Sequence, residues 1–323
     1  MSNFSFSTAL RIMRQTAPFL MFRLAIYVCI AAAYVLVTGV GAGVGYGIGG
    51  FWDDDRRLAA SAYGAAGGFG LTATVLYFLR EYLLYTVKAG HIAVMVELLQ
   101  GREIPGGQGQ IAYARAKVTE RFGTSNVLFG IDQLVKGVIN AVTGLLEGLM
   151  SILPIPGLDK LMSVVRAYLR VAVGLLDEVM LAHCFETRTE NPYEASKTAL
   201  VLYAQNARAM LINAAWVTLW VWLLSALIFV IMLMPAGLLA WLLPGQISAM
   251  GGVFALLFAW AVKVALIEPF AIACMLQAYF KLTAGQPPDP AWQAKLERAS
   301  DKFKALGERA YHWASPRRGE TAL

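Results

Sequence analysis

Residues 209–262 read AMLINAAWVTLWVWLLSALIFVIMLMPAGLLAWLLPGQISAMGGVFALLFAWAV, an apolar run bounded by Arg208 and Lys263 with no ionisable side chain between them. At about 1.5 Å of rise per residue, such a run is far longer than one crossing of a hydrocarbon layer about 30 Å thick. Pro235, Pro244 and Gly245 interrupt it, so the pattern predicts two spanning helices joined by a turn. Lipid is then the solvent in which the rest of the chain is read. Inside that layer each segment must satisfy its own backbone polar groups.

Composition agrees with this reading. Of 323 residues, 58% are hydrophobic and 15% charged, which lies outside the range of water-soluble domains. The net charge of +6 comes from cations that flank apolar runs and form no dense patch. It speaks for orientation in a membrane, not for a nucleic-acid partner. Membrane lipids are the expected partners, together with a second copy of the chain or another membrane protein. Cys29, Cys184 and Cys274 are widely spaced, each in or beside an apolar run. They are expected to be buried, inert thiols, forming neither a disulfide framework nor a metal site. Arg11, Arg14 and Arg23 precede an apolar stretch too long for a signal peptide, so an uncleaved anchor is expected.

The first crossing is expected over residues 25–50, ending at Trp52-Asp53-Asp54-Asp55-Arg56-Arg57. Its second half carries two interleaved glycine series, Gly39/Gly43/Gly47 and Gly41/Gly45/Gly49. At helical spacing such a series clears one face and lets another backbone approach. The second crossing, residues 58–85, carries Gly64, Gly67, Gly68 and Gly70. Helix packing through Gly39, Gly43, Gly47, Gly64 and Gly68 is therefore expected. A phosphate-binding loop would need a preceding strand and usually a lysine, and neither is evident. Residues 89–125 read as a cytoplasmic loop with short helices of its own, in water or at the headgroups.

Two helix-length stretches follow, joined by Leu153-Pro154-Ile155-Pro156-Gly157. On a helical wheel, Asp132, Lys136, Asn140, Thr143 and Glu147 share a narrow sector of the first, and Asp159, Arg166, Arg170 and Asp177 align on the second. Each helix thus has a thin charged stripe on an apolar body. Folded antiparallel, Glu147 and Arg166 share with Lys136 and Asp177 the same offset of about one turn. The stripes are therefore expected to face each other. The competing reading lays both helices flat in the interface, stripe to water.

After His183 the chain turns polar and restarts as a helix. Asn191 is the expected cap, Pro192 suits the first position, and Glu194 completes a capping box. The polar loop and helix around Glu194 to Asn206 resemble a pattern of choline transporter-like membrane proteins, a likeness confined to this segment that carries no residue roles across. In the last crossing, residues 250–282, Lys263 and Glu268 break the apolar run. Ionisable groups at membrane depth are costly and mark functional candidates. Pro269 bends the helix and frees the carbonyl near Ala265, which would bring the two together or open a polar pocket. The plainer alternative has Lys263 snorkelling and Glu268 near the surface, or both paired with the striped hairpin. A tail helix over residues 291–313, capped by Asp289 and Pro290, mixes apolar and basic residues and fits a membrane-surface or partner-docking helix.

The expected fold is thus an all-α integral membrane protein. It has four transmembrane helices, a charged-striped helical hairpin (re-entrant, interfacial or spanning) and an amphipathic C-terminal helix. The expected divisions are residues 1–88, 89–125, 126–185, 186–285 and 286–323. Basic flanks place both termini in the cytoplasm, and a bacterial inner membrane is the expected location. His91, His183 and His312 are scattered, and no catalytic, metal or cofactor constellation is expected. Asp132, Lys136, Glu147, Arg166, Arg170, Asp177, Lys263 and Glu268 are the candidate intramembrane polar residues. They point to a transporter or permeation unit for a small or amphiphilic solute or lipid. The glycine faces and amphipathic segments point instead to a non-catalytic scaffold or accessory subunit.

Overall fold

In the computed structural model the described residues are 3–79, 84–106, 109–122, 127, 130–131, 133–138, 174–242 and 251–313. Every regular element among them is helical. In order these are α1 (Phe6–Gln15), α2 (Ala17–Gly49), α3 (Asp54–Leu79), α4 (Tyr85–Leu99), α5 (Gly109–Phe122), α6 (Leu176–Thr187) and α7 (Pro192–Gln205). Then come α8 (Ala207–Leu242), α9 (Gly251–Val262), a π-helical turn (Lys263–Ile267), α10 (Glu268–Thr283), α11 (Pro290–Ala299) and α12 (Asp301–Tyr311). Among the described residues, three stretches are long and apolar enough to cross a membrane: Ala17–Gly49, Ala207–Pro235 and Ala255–Thr283. Pro235 does not end its helix as the sequence reading expected; α8 runs through it to Leu242. A long apolar helix tolerates the missing N–H because neighbouring turns absorb the local adjustment.

The chain divides into two compact units. One comprises residues 19–87 and 222–269, so it receives the chain twice and returns it twice. Its first excursion is α2 and α3, held backbone to backbone. A Cβ on Gly41 would strike the Gly64 carbonyl, one on Gly45 the Ala60 carbonyl, and one on Gly68 the Val37 carbonyl. The expected contact thus forms, but through the second glycine series. Gly39, Gly43 and Gly47 have nothing within 4 Å. Series offset by two residues point to opposite sides of a helix, so one of them has to face away. Ser61 Oγ donates to the Ala42 carbonyl at 3.1 Å, and Arg57 sits over the Tyr46 ring at 3.8 Å. Asp53 caps α3 by accepting from the Arg56 N–H at 2.9 Å.

The second excursion packs on α2 through small residues. Ala31 meets Ala261 and Ala265, with Tyr27 edge-on to Trp260 at 5.6 Å. Elsewhere this unit is apolar and open: Leu36, Val40, Val44 and Ile48 on α2 and Leu227, Val230, Ile231 and Met234 on α8 are exposed. Water would not tolerate so continuous an apolar surface, whereas lipid would. Cys29, expected buried, is exposed on α2.

The other unit comprises residues 1–18, 88–221 and 270–323. Its core contains α4, α6, α7 and the second half of α10. All residues of α4 from Ala89 to Glu97 are buried, and so are those of α6 from Leu176 to Phe185. Within the stretch 89–125 read as a loop with its own helices, α4 lies inside this unit, with His91 and Glu97 buried among its apolar residues. Helices α11 and α12 pack on α7. The tail is not one helix, because Ser300 leaves helical geometry and caps α12 by accepting from the Phe303 N–H. Its apolar residues Leu296, Phe303 and Leu306 are buried within the protein, which accounts for the face expected to sit on lipid. Asn191 caps α7 as its sequence implies, accepting from the N–H groups of Tyr193 and Glu194.

Candidate functional site

Pro269 sets the first site by lacking an N–H. In the π-helical turn before it, the Glu268 N–H reaches back five residues to the Lys263 carbonyl. The next bond in that register would run from residue 269 to Val264, and proline cannot make it. Arg23 of α2 fills the gap: its Nη2 donates to the Val264 carbonyl at 2.9 Å and to Glu268 Oε2 at 2.9 Å. The Arg23 side chain is 3% exposed and that of Glu268 32%. Arg23 Nε is buried without a hydrogen-bond partner among the described residues. Lys263 is exposed, so Glu268 pairs across helices with Arg23, a residue the sequence reading placed merely in the flank.

Lys88 is likewise the centre of a buried cluster. Its Nζ donates to Asp177 Oδ2 at 3.1 Å and to Glu178 Oε1 at 2.7 Å, both carboxylates being buried. Burial pushes the Asp177 carboxyl up, but Lys88, a hydrogen bond with Glu178 and the charge of Lys136 together hold it below the usual carboxylate range. Lys136 and Asp177 thus interact electrostatically, with Lys88 the direct partner. Asp132, Glu147, Arg166 and Arg170 lie outside the described residues, and with them the expected pairing of Glu147 with Arg166. Of the remaining buried charges, Glu97 is bracketed by Arg102 and by Arg188, the latter at 3.5 Å.

A third cluster opens on a cavity of about 620 Å³ lined by, among others, Asn3, Gln100, His183, Glu186, Gln277 and Lys281. His183 Nδ1 lies 3.2 Å from the Tyr279 hydroxyl and 3.9 Å from Glu186 Oε2. Burial lowers the imidazole pKa to about 4, so it is neutral near pH 7. Burial raises the Glu186 carboxyl, with Arg102 acting against the rise. Helix α10 carries Glu268 in its first turn and Gln277 and Lys281 in its second half. Among the described residues no group of His, Cys, Asp and Glu is placed to hold a metal ion. No protein-family model, curated protein or solved structure matches the chain.

The sequence signal for Arg23 was Pro269 itself. A proline at the base of a π-turn leaves a carbonyl needing a donor, and Arg23 is a cation well inside the first apolar helix. Lys88 had a weaker signal, since two adjacent carboxylates on an otherwise apolar helix require a cation from elsewhere.

Proposed function

We propose that the protein is a membrane transporter or permeation unit, without enzymatic activity, for a small or amphiphilic solute. Four crossings belong to this reading: α2 and α3 as one hairpin, α8 and the helix from α9 through Glu268 as the other. Because α3 meets α2 backbone to backbone, it has to share the medium of α2. The excess of basic residues in the unit that contains both termini supports its placement in the cytoplasm.

The observation that carries the functional reading is the Arg23–Glu268 pair. It puts a charge pair, a π-turn and a buried guanidinium nitrogen without a hydrogen-bond partner among the described residues into an otherwise apolar helical layer, an expensive arrangement that marks solute pathways. The polar cavity around His183 and Glu186 supplies a hydrogen-bonding chamber of solute size. A scaffold role has one observation of its own: the Gly39/Gly43/Gly47 side of α2 is open and offers close approach to another helix.

The test is release from proteoliposomes loaded with a mixture of amino acids, nucleosides, polyols and organic cations, read by mass spectrometry. At least one component should leave wild-type vesicles about tenfold faster than Glu268→Ala vesicles, the size expected when a polar partner worth about 1.4 kcal/mol is lost from a pathway. Release equal to that of protein-free vesicles for every component would favour the scaffold.

A further inference from the structure

Helix α1 has three faces. Ala9 and Ile12 are buried and, with Thr16 just beyond the helix, form the side that packs inward; Thr16 Oγ1 lies 2.9 Å from His91 Nε2. Phe6, Leu10 and Met13 recur at i, i+4 and i+7 on a second side, where Phe6 is 37% and Leu10 60% exposed. Arg11 and Arg14 are exposed on a third, and the helix has no acidic residue. On the middle face the Phe6 ring is partly covered by neighbouring rings, whereas Leu10 presents open apolar surface beside the basic face.

The ends of α1 adjoin apolar segments. Its C-terminal end, Gln15, is three residues from Pro18, where the chain passes into the apolar unit. Its N-terminal end is held by Phe6, whose ring lies 5.0 Å from Trp220 and 5.7 Å from Phe270. Those two residues lie within the apolar stretches Ala207–Pro235 and Ala255–Thr283. The C-terminal end of α1 is therefore tied, through Thr16 alone, to the start of the apolar span Ala17–Gly49. Trp216, Trp220 and Trp222 are exposed on α8, and tryptophan is a residue type enriched where protein meets the membrane interface.

From this we infer that α1 lies in the headgroup layer of the leaflet where α2 starts, with Phe6, Leu10 and Met13 in the acyl boundary and Arg11 and Arg14 on the phosphates of anionic phospholipid. The inference rests on the reading that the apolar helices span a bilayer. Two basic side chains on one short face, with an apolar stripe beside them, match a phospholipid surface better than a soluble anion.

The experiment uses the full chain with Cys29→Ser, reconstituted in phosphatidylcholine vesicles with or without phosphatidylglycerol. Leu10→Cys and, separately, Leu227→Cys carry a polarity-sensitive fluorophore, with quenching by lipids nitroxide-labelled high on the acyl chain. Both positions should be quenched about twofold or more. Retention of phosphatidylglycerol by the detergent-purified protein should fall about 30-fold in Arg11→Gln/Arg14→Gln, the product of two basic contacts. Glycerol phosphate should not compete. Quenching at 227 but not at 10, unchanged lipid retention in the double variant, or competition by glycerol phosphate would each overturn the inference while leaving the spanning helices in place. Absence of quenching at both positions would overturn the spanning reading with it.

Discussion

Arg23 and Glu268 are 245 residues apart in the chain and meet at 2.9 Å, with the same guanidinium nitrogen bonded to the Val264 carbonyl. The two partners are buried to different degrees, and this makes the pair's energetics asymmetric. Glu268→Leu strands a guanidinium inside the protein and should cost roughly 3–5 kcal/mol, whereas after Arg23→Met the half-exposed carboxylate can turn outward and the loss should be smaller, about 2–3 kcal/mol. The double variant should recover most of the loss, because no charge is then buried alone. Thermal unfolding of the four proteins in one detergent measures this; additive losses would contradict it.

The glycine surfaces of α2 should separate cleanly. At Gly45 an added methyl meets the Ala60 carbonyl, a backbone atom that cannot move aside, so Gly45→Ala should cost about 1–3 kcal/mol by forcing the helices apart. Gly43 has open space, and Gly43→Ala should stabilise by up to about 1 kcal/mol through helix propensity. Unfolding midpoints of the two variants check the sign of each change.

His183 gives the protein a pH dependence of known sign. Its pKa falls from 6.5 to about 4 on burial, so the unfolded chain binds the proton more readily and stability falls as pH drops from about 6.5 towards 4. The loss between pH 7 and pH 5 should be about 2 kcal/mol. In His183→Asn, which keeps a polar group beside Tyr279 and Glu186, that part of the slope should vanish. Unfolding curves at the two pH values decide it.

Lys88 should outweigh any surface lysine. Lys88→Met leaves Asp177 and Glu178 buried without their direct cation, at a cost of roughly 3–5 kcal/mol. Lys117, whose partner Glu120 is half exposed, should change stability by less than about 1 kcal/mol on substitution by alanine. Adding Asp177→Asn and Glu178→Gln to Lys88→Met should restore much of the loss.

The legible parts of the fold were those set by single segments. Apolar length against hydrocarbon thickness located the long helices, and Asn191-Pro192 and Asp289-Pro290 declared their caps because capping is local chemistry. What needed tertiary information was harder to read. Gly39/Gly43/Gly47 and Gly41/Gly45/Gly49 have the same spacing, and the position of α3 decides which series is used. Residues 89–97 are buried only because neighbouring helices enclose α4, which a segment carrying His91 and Glu97 does not announce. Lys263 and Glu268 are close in sequence, and the eye pairs them, but the carbonyl freed by Pro269 recruits Arg23 from a helix at the other end of the chain. The tail reads as one helix because apolar periodicity continues across Ser300, where the structure breaks it.

The central claim is that the α2–α3 hairpin crosses a bilayer and returns, leaving its turn on the opposite side from the chain's termini. Phe51, at that turn, is 90% exposed, and Tyr311, near the C-terminus, is 86% exposed. In sealed cells expressing Cys29→Ser with either Phe51→Cys or Tyr311→Cys, a membrane-impermeant maleimide should label residue 51 from outside and residue 311 only after permeabilisation. Equal labelling of both from the same side of the membrane would contradict the claim.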